Sequence, residues 1–204
     1  MRDIERALAD ISAIREQVAM SSQFRGLGAA ALAATGLMAL GVAALQGVMA
    51  DAVAPDPLAF FAAWIATAVA AVAILGGEIA RRWRRDRSSL ATTLLQNALL
   101  HFLPVGMAGA ALFVFALASA PEVMWMLPGL WQILLALGIF AAARQLPGQT
   151  VLVAAWYFLS GFSVLLVASR DHALTPWLMG IPFFVGQTLM AAVTWHAMER
   201  RHGK

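Results

Sequence analysis

A chain of 204 residues that is 61% hydrophobic and only 12% charged has too little polar surface to cover a globule in water, because soluble domains carry about a quarter charged residues. That balance excludes an ordinary soluble enzyme, and a net charge of +3, with the basic residues beside apolar runs, excludes a nucleic-acid binder. The absence of cysteine excludes disulfides, thiolate metal sites and cysteine nucleophiles.

Residues 3–22 predict an amphipathic helix. Ile4, Ala7, Leu8, Ile11, Ile14 and Val18 recur at three- and four-residue spacing, with Asp3, Arg6, Asp10, Arg15 and Glu16 opposite. Four basic and four acidic side chains balance within residues 1–25. A helix that lies on anionic lipid has a cationic polar face, so this one is expected to pack on protein: its own bundle, a second copy or a partner. Ile4, Leu8, Ile11, Ile14 and Val18 would form the contact. No cleavable signal peptide is expected, because the first apolar run is about as long as a full bilayer span.

Six apolar runs follow, at 26–49, 58–80, 94–118, 124–143, 150–169 and 177–196. Each approaches or exceeds the roughly 20 residues that carry a helix across hydrocarbon, where a backbone must satisfy its own hydrogen bonds. The breaks combine proline, glycine and charge: Asp51 to Pro57, the arginine-rich stretch 81–87, Pro121 and Glu122, Pro147 and Gly148, and Arg170 to Pro176. With the N-terminus inside, thirteen of the fourteen Lys and Arg residues fall on the cytoplasmic side and only Arg170 outside. Such a bias in short loops sets orientation. The expected plan is an all-α membrane protein: a cytoplasmic helix over 1–25, a six-helix transmembrane domain over 26–198, and a basic cytoplasmic tail over 199–204. The bilayer is then its first partner and the inner (plasma) membrane its location, with both termini cytoplasmic.

A 3+3 inverted repeat is one reading of the runs, with chance matching among segments dominated by Ala, Leu and Gly as the alternative. Residues 38–44 resemble 135–141, Ala63-Trp64 matches Ala155-Trp156, and Pro104 matches Pro182, in the same order along the chain. Repeats of this kind are a recurrent transporter plan.

Polar groups at membrane depth are few, and such groups tend to be functional. Glu78, Asn97, His101, Gln132, Tyr157, Gln187 and His196 are the candidates for a polar cavity open to the cytoplasm, with helix kinks at Pro104 and Pro182. Asn97, His101, Pro104 and Ala108 share one helical face, expected to look into the bundle. Glu78 precedes Arg81 and Arg82 at ion-pair spacing, and His196 precedes Glu199 by three residues. Ser160 and Ser163 lie away from the histidines that a serine nucleophile would need. No cofactor or metal motif is present, so the chain is expected to be non-enzymatic and transporter- or channel-like. A membrane-anchored regulatory or assembly partner using residues 3–22 is the alternative. A haem-binding or redox subunit, with His101 and His196 as ligands, is a second one.

Overall fold

The computed structural model describes residues 28–50, 56–85, 90–143, 146 and 148–202; within these, the side chains of 82–85, 90–101, 198 and 200–202 are not described. The amphipathic stretch 3–22, with Ile4, Leu8, Ile11, Ile14 and Val18, therefore lies outside the described residues, as does the end of the basic tail. Among the described residues there is no strand. The helices are α1 (Ala29–Ala50), α2 (Pro57–Arg85), α3 (Leu90–Ser119), α4 (Leu127–Ala142), α5 (Thr150–Ala168) and α6 (Trp177–His202), with a 3₁₀ turn, Pro121–Met126, leading into α4. Each helix contributes to a stretch long and apolar enough to cross a membrane.

Local chemistry accounts for the helix starts. Asp56 caps α2: the Leu58 N–H donates to its Oδ1 at 3.1 Å and the Ala59 N–H to its Oδ2 at 3.3 Å. Pro57 takes the first helical position, where the missing N–H has no partner to lose. Asp56, Glu122 and Asp171 mark one end of the molecule, the acidic end. The opposite, basic end begins beyond Arg81 in α2 and near Glu199 in α6.

Between helices in lipid there is little hydrophobic drive, so close fit decides which helices meet. The most extensive contacts join α1 to α6 and α4 to α5. Along α1 and α6 the register is antiparallel. A Cβ on Gly36 would lie 3.0 Å from the Gln187 Cβ, one on Gly180 would overlap the Ala43 methyl, and one on Gly47 would lie 3.4 Å from the Trp177 ring. Along α4 and α5 the closest approach is backbone to backbone: a Cβ on Gly129 would sit 2.7 Å from the Gly161 carbonyl oxygen.

At the acidic end, Phe60, Phe61 and Trp64 of α2 bury themselves among Ala39, Ala43, Ala116, Met124, Leu127 and Met179. Phe61 meets Phe113 of α3 at 5.5 Å and Trp131 of α4 at 5.6 Å between ring centroids. Beyond Trp64 no described residue of α2 is buried, and α3 has none between Phe102 and Phe115. Val69, Val72 and Met107 there point outward, a surface that hydrocarbon solvates and water does not.

The two halves of the chain do not pack alike. Ala39 and Ala136, matched in the 3+3 repeat reading, are both buried. Gly138 is buried against Val105, however, while its counterpart Gly41 has open space around it. Val69, matched to Gly161, is exposed where Gly161 forms the α4–α5 crossing.

Candidate functional site

A proline at position 182 cannot donate to the carbonyl one turn earlier, at Leu178. In hydrocarbon that carbonyl needs another donor. Gln132 of α4, fully buried, supplies it: its Nε2 donates to the Leu178 oxygen at 2.9 Å. The Gln132 Oε1 in turn accepts the Ser160 hydroxyl of α5 at 2.9 Å, with the Tyr157 carbonyl 3.2 Å from the same hydroxyl. One chain of hydrogen bonds thus crosses three helices, from α5 through α4 to α6.

A second tie lies beside it. Trp156 Nε1 donates to the Pro182 carbonyl at 2.9 Å. The Tyr157 hydroxyl makes a longer contact, 3.5 Å, with the Phe183 carbonyl. The Tyr157 ring fits only because residue 186 is glycine; a Cβ there would overlap the phenol. The Gln187 carboxamide also approaches the Tyr157 hydroxyl, and its Oε1 is buried without a hydrogen-bond partner. Since its Cβ faces Gly36, Gln187 sits where α1, α5 and α6 meet. A buried amide oxygen left unpaired costs about 1–3 kcal/mol, so this atom is a standing acceptor in the middle of the span.

The arrangement is a seam. On one side stands the α1–α6 pair, on the other the α4–α5 pair, each held by small-residue fit. Between them run hydrogen bonds that all land on α6 close to Pro182. The α4, α5 and α6 segments that form the seam contain no Asp, Glu, Lys or Arg.

Of the expected cavity residues, the structure brings together Gln132, Tyr157 and Gln187, with Pro182 at their centre. It does not bring Glu78 or His196 to them. Glu78 is half-buried on α2, about four turns beyond Trp64, along the part of α2 that buries no described residue. His196 has a side chain 64% exposed, its Nδ1 3.5 Å from the Oε2 of Glu199, the residue three further along the helix. The side chains of Asn97 and His101 lie outside the described residues. Pro104 is exposed, so the helical face expected to look inward turns outward at that position; the inward side of α3 is set by Val105 and Phe102, which pack on Gly138. Trp156, unnoticed as a hydrogen-bond donor in the sequence, belongs to the site. The signal that could have found the cluster was Pro182 itself, which marks the Leu178 carbonyl as an acceptor awaiting a donor.

Comparison with protein-family models, with curated proteins and with solved structures finds no match for this chain.

Proposed function

We propose that the chain is a multi-pass protein of the inner membrane, with both termini cytoplasmic, and that it is transporter-like, handling a small uncharged polar solute at the seam. One observation carries this reading: polar side chains of α4 and α5 converge on backbone carbonyls of α6 from Leu178 to Phe183, around Pro182, at the boundary between two closely packed helix pairs. Polar groups held inside a membrane bundle tend to mark substrate pathways. A solute with both donors and acceptors can exchange for the seam's own hydrogen bonds, and the Gln187 Oε1 already offers an unmatched acceptor. The lack of charge in the seam favours a neutral solute, since an ion there would have no counter-charge. The arginine bias supports the orientation.

The test is uptake of labelled glycerol, urea and a neutral monosaccharide into liposomes containing the full chain. Saturable uptake of at least one solute is expected, reduced about tenfold by Gln187→Ala, the equivalent of about 1.4 kcal/mol of lost interaction. Uptake equal to that of protein-free liposomes for all three overturns the proposal.

The outward glycines Gly76, Gly77 and Gly106, which have open space around them, favour a second reading: an assembly or regulatory partner onto which another helix packs closely. In that case deletion of residues 1–22 releases a co-purifying protein, while Gln187→Ala changes nothing.

A further inference from the structure

We propose that His172 and Trp125 form a pH-sensitive latch at the acidic end, tightened when the imidazole gains a proton. The two rings are stacked, with centroids 4.6 Å apart and planes 20° from parallel. They come from separate connections: Trp125 from the 3₁₀ turn between α3 and α4, His172 from the loop between α5 and α6.

The backbone marks this histidine out. His172 has φ 55°, the one non-glycine residue at positive φ among the described residues. Glycine or asparagine adopts that left-handed conformation at less cost, and a strained residue persists where its surroundings hold it. Here the His172 N–H donates to the Ala168 carbonyl at 2.8 Å and the Ala173 N–H to Asp171 Oδ1 at 3.1 Å, fixing the turn on both sides. The turn aims the imidazole at the indole, a contact that glycine could not make.

The latch spans the acidic ends of the two helices on either side of the seam. The 3₁₀ turn runs directly into α4, which carries Gln132. The loop runs into α6, where the Thr175 carbonyl accepts the Leu178 N–H and the Pro176 carbonyl accepts those of Met179 and Gly180. A tighter stack therefore restrains the Leu178–Pro182 segment relative to α4.

A neutral imidazole on an indole makes a modest aromatic contact. A protonated one places a cation on the ring face, which is a stronger attraction. The charged residues on the described connections at this end are Glu122 on the 3₁₀ turn, Arg170 and Asp171 on the loop of His172, and Asp56 at the start of α2. The described ends of α4, α5 and α6 there add none. Asp171 is turned onto the Ala173 N–H and Asp56 onto its own helix. The stack is therefore expected to tighten on acidification, through the attraction of a cationic imidazole to the indole face.

The experiment uses the full chain in nanodiscs. Thermal unfolding of wild type, His172→Gln, His172→Gly and Trp125→Phe is followed at pH 8 and pH 5.5, together with tryptophan fluorescence. In wild type the midpoint is expected to rise by roughly 2 °C more on acidification than in any of the three variants. Emission is expected to fall in wild type and to stay level in His172→Gln. Because His172→Gly suits the turn's backbone, it keeps the comparison valid even where the glutamine variant folds poorly. A pH dependence that is the same in wild type and His172→Gly, or absent from wild type, overturns the latch.

Discussion

Replacing Gln132 by methionine removes an amide from a fully buried site while keeping its length. Two hydrogen bonds at 2.9 Å disappear, one to the Leu178 carbonyl and one from the Ser160 hydroxyl. Ser160 has a fallback in the Tyr157 carbonyl at 3.2 Å. The Leu178 carbonyl has none from its own helix, because residue 182 is proline. Interhelical hydrogen bonds in membranes average about 0.6 kcal/mol and reach about 1.7 kcal/mol, so Gln132→Met should cost about 1–2 kcal/mol. In a Pro182→Ala background the backbone N–H gained at position 182 can donate to the Leu178 carbonyl, and the same substitution should cost about half as much. The coupling is then about 0.5–1 kcal/mol, about two- to fivefold in the unfolding constant. Unfolding by SDS in mixed micelles, on the four proteins of the cycle, measures it. Costs that simply add, within about 0.3 kcal/mol, would refute the claim that Gln132 stands in for the N–H that proline lacks.

Glycine substitutions should separate by what the new methyl meets. Gly129→Ala drives a carbon against the Gly161 backbone carbonyl and Gly186→Ala against the Tyr157 ring, so each should destabilise by about 1–3 kcal/mol in the same assay. Gly41→Ala, with nothing within 4 Å, should be neutral or slightly stabilising. Tyr157→Leu should recover part of the Gly186→Ala loss and none of the Gly129→Ala loss. Asp56→Ala should cost about 1 kcal/mol through the lost α2 cap, with no effect on solute uptake. Since the chain has no cysteine, a single cysteine at Glu122 or at Arg87 reads topology directly. An impermeant thiol reagent on intact cells should label Glu122→Cys and spare Arg87→Cys; the reverse pattern inverts the orientation.

Length and hydropathy were enough to locate all six spans, because the match between an apolar run and the thickness of hydrocarbon is a property of each segment alone. The run 124–143 became a 3₁₀ turn followed by α4, and 58–80 and 94–118 extend as helices to Arg85 and from Leu90, past the point where hydropathy falls. The spacing of His196 and Glu199 near the end of α6 was likewise readable, since both residues sit on one helix. The site was legible only in part. Gln132, Tyr157 and Gln187 could be named as polar residues at depth, but so could Glu78 and His196, and nothing along the chain separates the two groups. That choice belongs to tertiary structure. Methyl-free positions at 36, 129, 161, 180 and 186 decide which helix backbones approach closely, and only that approach carries a glutamine of α4 and a tryptophan of α5 to carbonyls of α6. Span position follows from each segment's own transfer to lipid; partner choice follows from steric fit between segments far apart in sequence.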